Sequence, residues 1–397
     1  MSKSLYILIL LLIGISFWNI KPFGSFLTPD VSIILFLFWG FWGFNKYKSH
    51  NYKMLCNYRY NKPIVLFFIA ILISFIPAYI YHGQSLVMSI SVNRQLIGYL
   101  SLPLLLVVRP SFEELKKAMY WFSYLYVMVV VLDSVLSISV IDRSMQFNNF
   151  DEREEYIGES DFVRMIDGIQ FIVLSLIFSL NDLKQRFKFK TLLLATFFLF
   201  IIYIVQNRST LFPSVILYVV TLFSLKSGKY NFFIKGLLLA FMAVMISVTA
   251  SQWVELFEET QNQMGDEDYN RMLAYAFFLT QYSPHWICDF IGNGFISAKS
   301  SDIMQSLMED GIYNSDVGFV GFWNHFGLLP IIVMLSLIIK SFYRKVPYVV
   351  KCNAFFLFAC SLTIAYFVQL GYILWLCLYI YMYSYSHSLN HLKSYEN

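Results

Sequence analysis

Residues 64–81 read IVLFFIAILISFIPAYIY, eighteen consecutive positions with no charged side chain. A bilayer core of about 30 Å takes roughly 20 mainly apolar residues per helix. The run is therefore read as a membrane-spanning helix, and the same pattern recurs on both sides of it. Twelve spans are expected, at 4–20, 28–44, 64–81, 91–109, 119–141, 164–181, 190–206, 209–225, 232–250, 317–339, 353–369 and 371–387. The last two are close enough to form one long bent helix, which would give eleven. The expected fold is all-α, a polytopic helical bundle forming a single domain over residues 1–397.

Composition agrees. Of 397 residues, 58% are hydrophobic and 14% charged, against about 45–50% and 25% in soluble globular chains. That excludes a soluble multidomain enzyme, and disorder as well, which needs low hydrophobicity and high charge. The apolar run from Leu5 to Trp18 follows Lys3 but has no small-x-small cleavage site after it, so it is read as a first span rather than a removed leader. Five cysteines stand without C-x-x-C spacing, which leaves zinc and redox motifs unsupported. Only Cys288 falls in an outer loop, so no disulfide is expected there.

Orientation follows from the basic residues. With both termini inside, the inner segments carry 21 of the 29 lysines and arginines, and every one of them is basic. Acids lie opposite. The outer loop 142–163 carries seven, and the outer loop 251–316 carries eleven. Long loops on one face are where recognition and chemistry concentrate. Within the second, Arg271 to Tyr282 reads as a helix too short to span, re-entrant or interfacial.

Phosphate-cradling, zincin and serine-hydrolase motifs are absent from the sequence. What remains is a set of outward arginines. Arg208 sits in a short outer turn and opens a span, where its charge opposes the helix dipole. An anion shared between Arg208 and the free N–H groups there would resolve the conflict. Arg271 is one of two bases in an acidic loop, and Arg164 opens span six after Asp161; for both, local salt bridges are the plainer reading. Arg94 and Asp133 are intramembrane charges that need partners. Asp266-Glu267-Asp268 contains a D-x-D pattern, but adjacent acids in an acidic loop make a weak metal motif, so no metal site is assigned. Trp253, Tyr269, Tyr282, Trp286, Tyr313 and Trp323 are aromatic candidates for sugar faces, although most such residues belong to the interface belt and loop core.

Three pieces of sequence carry a family likeness. They are the turn Gln206-Asn207-Arg208-Ser209-Thr210; Arg271, with its apolar stretch and then Ile291-Gly292-Asn293-Gly294-Phe295; and Asn314-Ser315-Asp316-Val317-Gly318-Phe319 leading to His325-Phe326-Gly327-Leu328-Leu329. In order, spacing and shared outer side they resemble the O-antigen polymerase and O-antigen ligase superfamily of bacterial integral-membrane glycosyltransferases. Where the ligase pattern has a histidine, this chain offers Asp316, eleven residues before Gly327, and His325 stands in another register. That departure favours a polymerase, with ligase as the alternative and a polysaccharide flippase as the rival from another class.

The resemblance implies a polyprenyl-diphosphate-linked oligosaccharide as donor and the hydroxyl of another lipid-linked repeat unit as acceptor. It also implies the cytoplasmic membrane as location, membrane lipid as surround, and a chain-length regulator and a flippase as protein partners. No cofactor, metal or nucleic acid is expected. Arg208 and Arg271 are assigned to the diphosphate with Arg164 as a third, Asp316 to the general base, and His325 as the alternate base.

Overall fold

The computed structural model describes residues 1–20, 28–55, 58–132, 167–205, 208–225, 236, 270–297, 300–309, 312, 317–362 and 369–395. Among them the regular structure is helical. The helices are α1 (Lys3–Gly14), α2 (Pro29–Leu55), α3 (Tyr58–His82), α4 (Leu86–Val92), α5 (Ser101–Val108), α6 (Phe112–Val130), α7 (Ile169–Gln185), α8 (Phe189–Ile204), α9 (Arg208–Phe223), α10 (Asn270–Thr280), α11 (Trp286–Ile291), α12 (Asp302–Glu309), α13 (Gly318–Phe326), α14 (Leu328–Tyr343), α15 (Tyr348–Ser361) and α16 (Leu370–Tyr395). The expected span 232–250 lies outside the described residues except for position 236.

Local chemistry sets several starts. Ser111 and Glu114 form a reciprocal capping box on α6: the Ser111 amide donates to Glu114 Oε2 at 2.8 Å and the Glu114 amide to Ser111 Oγ at 3.2 Å. Ser85 caps α4 by accepting from the Met88 amide at 3.2 Å.

Two helices are buried nearly all round and form the centre. Nearly every residue of α7 from Ile169 to Leu183 is buried, as is α16 from Tyr372 to Tyr383. α7 packs against α6, α8, α9 and α15, and α16 packs against α1, α5, α15 and the 3₁₀ turn Arg94–Leu100. Hydroxyl groups stitch the helices sideways: Ser123 to Ser175 at 2.7 Å, Thr196 to Tyr218 at 2.7 Å, Thr221 to Tyr348 at 2.8 Å and Ser341 to Tyr379 at 2.7 Å. Such bonds suit helices that meet in apolar surroundings, at about 0.6 kcal/mol each.

The outer helices show the converse pattern. On α3, Val65, Ile69, Leu72, Ile76 and Ile80 are exposed at spacings of three and four, one continuous apolar stripe. α9 repeats it with Phe212, Ile216, Val220 and Phe223.

Among the described residues, one helix is long and apolar enough to cross a membrane, Val65–His82, and a second counts if the bent pair Leu86–Val92 and Arg94–Val108 is one span. Five apolar helices are shorter, at 10–17 residues.

Two expected spans are broken. Residues 91–109 bend by 61° between Val92 and Arg94, and 317–339 divides at Gly327 into α13 and α14. At the first break Arg94 finds its partner: Nε pairs with the carboxylate of Asp30, and Nη1 donates to the Ser91 carbonyl at 2.9 Å. The last two expected spans are separate helices, α15 and α16, packed on each other.

Contacts sort the loops into two groups. Lys3 Nζ donates to the Arg109 carbonyl at 2.9 Å, Lys116 pairs with Asp182 at 2.9 Å, Lys184 lies over the Tyr348 ring at 3.7 Å, and Tyr381 donates to the Pro110 carbonyl at 2.6 Å. All these ends were expected inside. Those expected outside or at outer span ends meet each other instead: Gln84 with Phe295, His82 with Asn293, and Gln95 with Leu370. Tyr275, from the outer loop, meets Leu362, which was expected within the span 353–369.

Candidate functional site

The C-terminal end of α15 is where the three sequence pieces come together. Cys360 donates to the carbonyl of Ser209, the residue after Arg208, at 3.2 Å. Tyr275, one helical turn after Arg271 in α10, donates its hydroxyl to the Leu362 carbonyl at 2.6 Å. Gly318, two residues after Asp316, lies flat against the same end; a Cβ there would overlap the Ser361 carbonyl oxygen and stand 2.7 Å from the Leu362 carbonyl carbon. Positions 360 and 362 are separated by about 3 Å along a helix axis. Segments from three distant parts of the chain thus attach to less than one turn of α15.

The electrostatics follow from the helix ends. Arg208 is the first residue of α9, at its positive end. The neighbouring end of α15 is a C-terminus, whose unpaired carbonyls carry partial negative charge.

Beside this junction the two glycine-containing loops interlock. The Asn293 amide donates to the Asn324 carbonyl at 2.7 Å and the Gly294 amide to the His325 carbonyl at 2.9 Å. Asn324 Nδ2 reaches the Phe278 carbonyl at 2.8 Å, tying α13 to α10. The approach is so close that a Cβ on Gly292 would stand 2.7 Å from the Gly327 amide nitrogen, and one on Gly327 would stand 2.7 Å from the Ile291 carbonyl carbon. Gln84, fully buried, closes the knot: its Nε2 donates to the Phe295 carbonyl at 2.9 Å, and its Oε1 accepts from the Ser297 amide at 2.8 Å and the Ser300 hydroxyl at 2.8 Å.

The expected site residues fare differently. The helix positions of Arg208 and Arg271 are described, while their side chains lie outside the described residues, as do Arg164, Asp133, Asp266, Glu267, Asp268 and Asp316. His325 is fully described. It is 1% exposed, its Nδ1 donates to the Gly294 carbonyl at 3.2 Å, and its ring stacks on Phe295 with centroids 4.5 Å apart. That arrangement pins a loop; a base needs a ring nitrogen directed at the substrate hydroxyl. Of the aromatics, Tyr282 is buried against His82, Trp323 donates to the Asp289 carbonyl, and Trp286 is exposed. Trp253, Tyr269 and Tyr313 lie outside the described residues.

Sequence reading missed the polar girdle of His82, Gln84, Asn293 and Asn324. His82 Nε2 donates to Asn293 Oδ1 at 3.4 Å. The available signal was a His-Gly-Gln run at 82–84, ending an apolar span. Among the described residues, no group of three or more His, Cys, Asp or Glu side chains gathers to hold a metal ion.

Cys288 belongs to the same wall. It is buried and unpaired to another cysteine, and burial pushes its thiol above the ordinary range. The thiolate is the reactive form, so maleimide is expected to label Cys288 at neutral pH far more slowly than in the unfolded chain. Equal rates would show that α11 does not seal this wall.

No family model and no curated protein matches the chain.

Proposed function

We propose that this chain is an integral-membrane glycosyltransferase that polymerises lipid-linked oligosaccharide repeat units on the outer face of the bacterial cytoplasmic membrane. In this reading the helices form a twelve-span bundle. The apolar stripes on α3 and α9 support the membrane setting. In water each exposed aliphatic side chain forgoes about 1.5–3 kcal/mol of burial, whereas lipid tails remove that penalty. The basic loops gathered at one end support the orientation.

The observation that carries the chemistry is the attachment of Ser209, Tyr275 and Gly318 to one end of α15. Position 271 shares a helix face with Tyr275, one turn away. Arg208 and Arg271 then serve one ligand, the diphosphate of a lipid-linked donor. A diphosphate leaving group needs its developing charge stabilised, and guanidinium forks supply paired, permanently charged donors. At about 1.5–3 kcal/mol per charge-assisted hydrogen bond, two such contacts account for roughly 10²–10⁴ in rate. Asp316, adjoining the same junction in sequence, receives the acceptor hydroxyl's proton. His325 is left to hold the loop.

The test uses the full chain in lipid nanodiscs with lipid-linked repeat units extracted from a strain lacking it. Growth of longer glycans is expected, and Arg271→Ala is expected to slow it at least tenfold. Translocation without new glycosidic bonds would make the protein a transporter.

A further inference from the structure

α2 outruns its apolar sequence. It covers Pro29–Leu55, 27 residues, or about 40 Å at 1.5 Å per residue, whereas a hydrocarbon core is about 30 Å thick. The apolar part ends at Phe44, and the helix continues through Asn45 and Lys46 to Leu55. α3 opens on the same kind of sequence, from Tyr58 to Lys62, before its own apolar run begins. From Asn45 to Lys62 the chain holds five basic residues, Lys46, Lys48, Lys53, Arg59 and Lys62, and no acid. At the far end of α3, His82 bonds Asn293 beside the candidate site. Lys62 and His82 are about 30 Å apart along a helix, one hydrocarbon thickness.

An aromatic stack marks the place where the apolar part of α2 gives out. Tyr6 of α1 stacks on Trp39 and Trp42 at centroid distances of 5.5 and 6.0 Å, Trp39 stacks on Trp42 at 5.0 Å, and Tyr47 meets Tyr6 edge-on at 5.9 Å. Bonds to the backbone lock the stack: Trp39 Nε1 donates to the Tyr6 carbonyl at 3.2 Å, and the Tyr47 hydroxyl to the Met1 carbonyl at 3.3 Å. Tryptophan and tyrosine gather at the membrane–water boundary. Lys46 stands on this belt, its Nζ 4.8 Å from the Trp42 centroid and 5.9 Å from that of Tyr47, a cation–π arrangement that fixes where the charge sits. Lys46, Lys48 and Lys62 are all exposed, and among the described residues none of the three pairs with a carboxylate.

The sequence offers these cations little internal compensation. In the orientation proposed for the bundle, only Glu113, Glu114, Asp182 and Glu396 of the 25 acids face inward. Glu114 is held in the Ser111 capping box, and Glu113 and Asp182 both pair with Lys116, at 2.8 and 2.9 Å. Glu396 lies outside the described residues, so at most one carboxylate is left for five cations. Basic clusters directly inside a membrane helix attract anionic headgroups. We propose that the inner ends of α2 and α3 form a docking site for the headgroup of an anionic phospholipid, with Lys46 and Lys48 on its phosphate. The belt favours a lipid over an acidic protein: it sets Lys46 at headgroup depth, where a soluble partner would have to reach past the lipids. The proposal rests on the membrane setting and orientation of the bundle and not on the polymerisation chemistry.

The test titrates the purified full chain in detergent with phosphatidylglycerol or phosphatidylcholine of identical acyl chains, and reads bound lipid by native mass spectrometry. The wild type is expected to bind phosphatidylglycerol about tenfold more tightly. The pair Lys46→Gln and Lys48→Gln is expected to cut that advantage about fivefold or more, since each lysine near an anionic surface contributes. The pair Lys46→Arg and Lys48→Arg, which keeps the charge, is expected to hold it within twofold. So is the pair Lys188→Gln and Lys190→Gln, which removes two exposed cations from the start of α8. A wild type indifferent to the two lipids would overturn the site, as would a full advantage in the Lys46 and Lys48 glutamine pair. Equal losses in both glutamine pairs would overturn it too, by assigning the preference to the diffuse charge of the inner face. Displacement of the lipid by equimolar glycerol phosphate would give the site to a soluble phosphate. A chain that enters lipid vesicles yet shows no preference loses this site alone, whereas one that does not enter them loses the membrane setting as well.

Discussion

Arg208→Ala is expected to remove long-chain polysaccharide from cells while the protein stays in the membrane at its normal level. In nanodiscs, turnover of lipid-linked repeat units should fall by on the order of 10²-fold or more, from the loss of charge-assisted bonds that strengthen at the transition state. Arg208 opens α9, and its neighbour Ser209 is held by Cys360 on the last turn of α15. A purely structural arginine would act differently. It would neutralise the α15 carbonyl end, and a lysine could replace it, because a point charge is enough for a dipole. A diphosphate recognised by a planar fork is less tolerant. Arg208→Lys is therefore expected to keep the protein folded and recover only a small part of the activity. Wild-type polymer length in Arg208→Ala, or full activity in Arg208→Lys, would remove Arg208 from the diphosphate site.

Much of the helical framework is legible in the sequence, because an apolar run of sufficient length fixes a helix by composition. α3, α7, α8, α9, α15 and α16 all fall on expected spans, and α10 at 270–280 overlaps the stretch 271–282 expected to be helical in the long loop. The breaks were not legible as such. At Asn93-Arg94 the chain bends where Arg94 pairs with Asp30, sixty-four residues away in sequence. Apolar periodicity carries no information about such a partner. The break at Gly327 had a local sign, the glycine itself, which an apolar context obscures.

The site divides in the same way. The three sequence pieces flag which segments matter, and two of them are seen to share backbone bonds. What joins them is main-chain N–H to carbonyl pairing, which any side chains permit and no pattern announces. The left-handed turn at 16–18 was invisible for a related reason, since it interrupts what reads as an ordinary first span.

Gly327→Ala is expected to unlock this part of the molecule. Gly327 has φ of 76° and joins α13 to α14. A Cβ there would overlap the Phe290 carbonyl oxygen and approach the carbonyl carbons of Phe290 and Ile291 to 2.7 Å. These are backbone atoms at the end of α11, held by the Gly292 amide bonding to the Cys288 carbonyl at 2.8 Å, so they cannot swing aside as a side-chain tip would. With ψ of −170° the backbone lies in a region essentially confined to glycine, which alone costs about 1–3 kcal/mol for a residue with a Cβ. Overlap with fixed backbone raises the expected loss above about 3 kcal/mol, in the range of mutations that break a buried network. Thermal melting in nanodiscs should show a midpoint several degrees lower, with polymerisation lost in proportion. Gly83→Ala supplies the control: φ is 64° there, but no atom lies within 4 Å of the added Cβ, so only the backbone term applies. Gly292→Ala meets the other side of the same contact, at the His325 carbonyl and the Gly327 amide. Its loss should therefore not add to that of Gly327→Ala in the double variant. Melting of Gly327→Ala no lower than that of Gly83→Ala would show that the two loops do not interlock, and the junction at α15 would lose the wall that places it.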